Sequence, residues 1–300
     1  VDSLWASIRA GRGTIGEMGR LARKLIRHPD PHAADAPDKA LSHMVREGMV
    51  GSQGRRFFRM FREHLYVPLL KKYGFDPRAG VYAQERPART QRRVQIVSAL
   101  LGTGRGRGLR KQIEEATVAY LAGDKSALDP AWLDHALDLY LFERDKGAAR
   151  QLVEKALESE DPVFRPAALA AAARTGDRDM AEWLLSLDDP GLRESEKREF
   201  LDSIMARKST REFGYDWALS HVDELLASSD GQFFAARLPQ ALGRFCSVAW
   251  ANRIARDFTD KLAGTPGALE LYRAIERVRN CGLLDDMLGS QIDAEFTKLR

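Results

Sequence analysis

KGAARQLVEKALESEDPVFRPAALAAAARTGDRDMAEWLLSL, residues 146–187, holds three apolar-periodic runs separated by short breaks. Lys146–Ser159, Val163–Thr175 and Arg178–Leu187 each repeat apolar residues at three-to-four spacing, the period of a helix with one buried face. SEDP and TGD interrupt them, where proline removes a backbone donor and glycine permits a turn. The same cadence extends in both directions. Leu109–Leu121 and Pro130–Phe142 precede it, the second with Asp129 as cap and proline at the first helical position. Glu194–Met205, Tyr215–Ala227, Gln232–Phe245, Val248–Leu262, Leu269–Asn280 and Leu283–Leu299 follow. Asp129-Pro130, Asp161-Pro162 and Asp189-Pro190 recur at intervals of 32 and 28 residues, about one helical hairpin. The pattern predicts an all-α fold of stacked antiparallel helical hairpins, a HEAT/ARM-like α-solenoid or superhelix with a concave face.

The first hundred residues are also helical, with more interruptions. Leu4, Trp5 and Ile8 mark a helix from Asp2 to Ala10. Thr14 and Glu17 read as a cap and a first-turn acid opening a helix with Met18, Leu21, Leu25 and Ile26 on its apolar face. His28-Pro-Asp-Pro-His32 ends it, and a third helix is expected from Pro37 to Met49. Arg56–Tyr73 is strongly amphipathic, with a kink or restart expected at Pro68 and a left-handed cap at Gly74. Residues 76–90 read as irregular, and Arg92–Leu101 as helix. GTGRGRG, 102–108, reads as a helix–helix elbow, a possible flexible joint within one repeat domain spanning 1–300. It lacks both the preceding strand and the Gly-Lys-Ser/Thr ending of a phosphate loop.

Composition is that of an ordinary globular chain, 44% hydrophobic and 30% charged over 300 residues. No apolar run reaches the roughly 18–20 residues needed to span a bilayer. No signal peptide is visible, which leaves a cytoplasmic location as the expectation, and a first residue other than Met suggests an upstream part. Charge is uneven: residues 1–110 carry 22 Lys/Arg against 9 Asp/Glu, the rest 25 against 34. Arg55, Arg56, Arg59 and Arg62 at helical spacing, with Arg86, Arg89, Arg92 and Arg93, keep open a stand-alone protein- or nucleic-acid-binding scaffold.

Self-contained chemistry finds no home. The six histidines form no HExxH: prolines break His28–His32, and no second histidine stands at the required spacing from His64. No G-x-S-x-G occurs, and neither Cys246 nor Cys281 adjoins a histidine. Buried free thiols are expected for both cysteines, with a disulfide as the alternative. No catalytic, cofactor-binding or metal-ligating residue is assigned.

Several stretches resemble the C-terminal helical domain of the M1 zinc aminopeptidases, the family of aminopeptidase N. DSLWASIRAGRGTIGEMGRLARKL (2–25) looks like that domain's first hairpin, and RRFFRMFREHLYVPLLKKYGFDP (55–77) with ERPARTQRRVQIVSALL (85–101) like two of its helices. AARTGDRDMAEWLLSLDD (172–189) and RFCSVAWANRIARDFTDKL (244–262) with ELYRAIERVRN (270–280) resemble later units. FGYDWALSHVDEL (213–225) departs, placing His221-Val222 where an Asn-Trp pair is usual.

The resemblance implies a non-catalytic domain that caps a catalytic domain and lines a peptide chamber. An upstream part would hold a β domain and the zinc site, so zinc belongs to the parent enzyme and none to this fragment. The implied partners are the catalytic domain within the same protein and a peptide substrate, with neither nucleic acid nor membrane. Arg174 matches an arginine that faces the cavity in some relatives and is the one candidate substrate-binding residue, with Arg165 and Arg178 close enough for an alignment slip.

Overall fold

The computed structural model describes residues 1–142 and 144–299; Glu143, in the turn expected after Phe142, lies outside them. The described residues are all-α, without a strand. They form two compact units, Val1–Trp132 with Leu284–Arg300, and Leu133–Leu283. The elbow at 102–108 lies within the first.

In the second unit the helices are α7 (Leu133–Phe142), α8 (Lys146–Leu157), α9 (Phe164–Ala173), α10 (Arg178–Leu185), α11 (Glu194–Ala206), α12 (Arg211–Ala227), α13 (Gly231–Leu242), α14 (Val248–Phe258) and the first part of α15 (Ala268–Phe296). Side-chain caps set several starts: Asp145, Asp177 and Ser247 accept from the backbone N–H three residues on. Packing alternates. α7 lies against α9, α9 against α11, α11 against α13 and α13 against α15. The even helices pack on this row, α8 on α9, α10 on α11 and α12 on α13. These are the stacked hairpins that the 146–187 cadence implies, and α13 and α15 run parallel. A Cβ at Gly267 would stand 1.9 Å from the Ala235 carbonyl oxygen, and one at Gly243 3.5 Å from the Ala274 Cβ.

Buried side chains of α11 to α15 form one apolar cluster. Near its centre Tyr215 meets Phe245, Trp250 and Phe258 edge-on, with ring centroids 5.0–5.7 Å apart. Its buried hydroxyl donates to Asp257 at 2.7 Å. Burial, then that bond to a carboxylate, push the phenol's pKa up. Charged side chains tie successive hairpins: Arg165–Glu196, Arg198–Asp230, Lys146–Asp179, Arg174–Asp138, Arg253–Asp216, Lys261–Asp223 and Arg244–Asp202 are 31–42 residues apart in sequence. That separation is one repeat, so the pairs fix register between neighbours. The exposed pairs among them add little energy each, whereas Arg165–Glu196 is largely shielded from water.

The first unit holds α1 (Asp2–Arg9), α2 (Ile15–Leu25), α3 (Pro31–Glu47), α4 (Ser52–Tyr73), α5 (Pro87–Leu101) and α6 (Arg107–Leu121). Thr14 and Glu17 make the expected reciprocal capping box. α3 starts six residues earlier than expected. Asp30 accepts from the His32 N–H at 2.8 Å, and Pro31 takes the first helical position, where no donor is needed. α4 passes through Pro68 without a restart; Pro68 and His64 face solvent, where the carbonyl that proline cannot bond meets water. Gly74 ends α4 at φ +69. At the elbow, Arg105 N–H donates to Glu63 at 2.9 Å, and Arg110 bonds the Leu101 and Thr103 carbonyls.

Two arginines expected beside an open irregular segment are internal clamps. Arg93 is fully buried, donating to Glu85 at 2.7 and 2.9 Å and to the Tyr73 and Gly74 carbonyls, under the Tyr82 ring. Arg92, also buried, donates to the Ile26 carbonyl at 2.7 Å. Arg62 pairs with Asp38 at 2.6 Å.

The C-terminal end of α15 completes the first unit. Asp293 accepts from Gly51 N–H at 2.7 Å and Glu295 from Ile15 N–H at 2.5 Å, placing a carboxylate on the N-termini of α4 and α2. Phe296 is fully buried and edge-on to Phe58.

Two expectations are corrected at α15. Leu269–Asn280 and Leu283–Leu299 are one helix, because Gly282 is a close-approach residue: a Cβ there would lie 2.5 Å from Ser247 Cα. Cys246 and Cys281 are not free thiols but a disulfide, since that approach brings their Cα atoms to 5.0 Å.

Phe296→Ala should destabilise the first unit by about 3–5 kcal/mol, and removing residues 284–300 should abolish its cooperative unfolding; hydrogen exchange at α2 and α4 reads both. Hydrogen bonds from Arg93 and then Arg89 hold the Glu85 carboxyl at a pKa of about 2, below its ordinary value near 4.5. The depressed folded-state pKa contributes stability above pH ~4.5 that is lost as pH falls through ~2. The midpoint difference between wild type and Glu85→Gln should therefore be largest near neutrality and shrink across that window in acid titrations.

Candidate functional site

The odd-numbered row of the second unit carries a groove of about 410 Å³ between α9, α11 and α13. Leu201, Phe234, Leu238 and Ala241 give it an apolar floor. Arg174, Arg198 and Arg237 line it from three successive hairpins. They are there because each odd helix turns its inner face to the core and leaves the polar positions of its other face along the groove.

The three guanidinium groups differ in what is already bonded to them. Arg174 ends α9, and its Nε and Nη2 donate to Asp138 at 3.0 and 2.9 Å, with Asp134 3.9 Å away. Arg207 lies across the same carboxylate at 3.8 Å and donates from Nε to the Arg174 carbonyl. Among the described residues, Arg174 Nη1 has no hydrogen-bond partner. Arg198 is tied to Asp230. Arg237 is exposed and makes no hydrogen bond or ion pair with any described residue. One turn before it, Phe233 is 67% exposed on the groove wall. An unpaired planar donor fork beside an exposed aromatic ring suits a carboxylate carried next to an apolar group.

Arg174 also lines a second cleft of about 770 Å³, where the turns following α7, α9 and α11 meet. Its two sequence neighbours are otherwise engaged. Arg165 is buried on Glu196, at 2.7 and 2.8 Å, and on the Leu157 and Gly191 carbonyls. Arg178 lies over the Phe213 ring at 5.3 Å. Sequence reading singled out Arg174 and missed Arg237 and Phe233. Their signal was four-residue spacing on one helix face in GQFFAARLPQAL, 231–242, indistinguishable there from any solvated face.

Ser195 and Ser203 line the groove without a histidine beside them. Among the described residues, no histidine joins a group of three potential metal ligands, and both cysteine sulfurs are taken up in a disulfide. Of the arginines that keep a scaffold reading open, Arg62, Arg92 and Arg93 are bonded inside the first unit, while Arg55, Arg56, Arg59, Arg86 and Arg89 are exposed.

The two kinds of arginine separate in a stability measurement. Arg165→Ala removes a buried guanidinium and leaves the half-buried Glu196 without its partner, and should cost about 1–3 kcal/mol, whereas Arg237→Ala should stay within about 0.5 kcal/mol of wild type. Urea unfolding of both variants checks the contrast.

Residues 1–280 match the family described as the ERAP1-like C-terminal domain. No curated protein matches the chain. The all-α stack of hairpins and a match over nearly the whole length agree: this chain belongs to the ERAP1-like C-terminal domain family.

Proposed function

We propose that the chain is the non-catalytic C-terminal domain of an M1-type zinc aminopeptidase, capping the catalytic domain and lining the chamber that receives the peptide. The groove between α9, α11 and α13 would take the part of the peptide far from the cleaved bond. The observation that carries this reading is Arg237, an unpaired exposed guanidinium one helical turn from the exposed Phe233. A peptide's terminal carboxylate accepts two parallel N–H donors from such a fork, and its last side chain can cover the ring. Arg174, steered by Asp138 and Arg207, offers Nη1 from the opposite wall. Family membership supports the reading. Zinc in the parent would polarise the scissile carbonyl and activate water, chemistry that this chain's residues do not supply.

Fluorescence anisotropy with a labelled apolar-ended peptide tests it. The free acid should bind about tenfold more tightly than its C-terminal amide, about 1.4 kcal/mol. Arg237→Ala should remove the difference, and Phe233→Ala should weaken both forms. Equal binding of acid and amide to the wild-type chain, or no response to Arg237→Ala, would overturn the reading.

A further inference from the structure

The chain has two cysteines in 300 residues, and the fold brings them together from positions 35 apart. Cys246 sits in the turn after α13, and Cys281 in the part of α15 that belongs to the second unit. The residues that follow each cysteine make the pairing possible. Ser247 caps α14, accepting from Trp250 N–H at 3.0 Å, and Gly282 lies so close that a Cβ would stand 2.5 Å from Ser247 Cα and 2.6 Å from Val248 N. Only glycine admits that approach. Phe245, before the first cysteine, stacks on Trp250 at 4.0 Å and meets Tyr215 at 5.7 Å, so the bonded turn also anchors the aromatic core.

We propose that Cys246–Cys281 is a reversible latch, closed in an oxidising compartment, that fastens the α13–α14 turn to α15. Both cysteines are partly exposed, so a small dithiol can reach the bond. Closure passes two electrons and two protons from the thiols to a disulfide-bearing oxidant, which leaves as a dithiol; a dithiol reductant reverses the exchange. The bond closes a long loop and restricts the unfolded chain. Cytosolic thiol buffers keep such pairs reduced, so a persistent bond runs against the cytoplasmic location expected from the sequence. None of this depends on what the α9–α11–α13 groove binds.

The chain, exported to an oxidising compartment and purified without reductant, is denatured and alkylated before and after dithiothreitol. No adduct before reduction and two after it are expected; two adducts before reduction would overturn the proposal. Dithiothreitol should lower the thermal midpoint of the folded wild type by about 5–15 °C, while Cys246→Ser/Cys281→Ser unfolds at the reduced midpoint and ignores the reductant. An unmoved wild-type midpoint contradicts the latch. Should the double variant not fold, hydrogen exchange at 243–248 and 280–284 of reduced wild type decides: faster exchange supports the latch and unchanged exchange overturns it.

Discussion

A single helical hairpin of this sequence cannot bury its own apolar face, and that constraint shapes the second unit. Each odd helix finds cover on the odd helix two places along the chain, and each even helix on the row so formed. Stability therefore resides in the interfaces between successive hairpins. The charged pairs repeat at the same interval, one hairpin length, and select the register that the apolar faces alone would leave free to slide. Polar residues facing away from the core are lined up by this stacking, which is how arginines from three hairpins come to share one groove.

Arginine serves three different ends in this chain, and burial tells them apart. Arg93 and Arg165 are enclosed and saturate backbone carbonyls and carboxylates, so they act as struts. Arg174 is intermediate, held by Asp138 with one nitrogen to spare. Arg237 is exposed and unbonded. Binding at Arg237 breaks no existing pair, whereas full engagement of Arg174 would compete with Asp138. A ligand carboxylate therefore gains most at Arg237, with Arg174 adding one directed donor.

Much of this was legible beforehand, and the failures have physical causes. Apolar spacing and the Asp-Pro breaks located the hairpins, and Thr14 with Glu17 gave a cap at the right residue. Pro29 and Pro31 read as breakers, with the third helix starting at Pro37, yet Pro31 occupies a first-turn position where it costs nothing. Gly282 was read as a gap between helices because local pattern cannot distinguish a break from a backbone approach made by a distant turn. The disulfide stood only as the alternative to free thiols for the same reason: spacing along the chain says nothing of two segments 35 residues apart. At the site, Arg174 was reached through resemblance. Arg237 became visible only once a groove surrounded it and its lack of a partner could be seen.

A crystal structure of the chain with a bound apolar-ended peptide would test the central claim most directly. The account predicts the terminal carboxylate on the Arg237 guanidinium, the last side chain against Phe233, and α9, α11 and α13 otherwise unmoved. A peptide bound away from the odd-helix row, or a carboxylate that leaves Arg237 untouched, would contradict it.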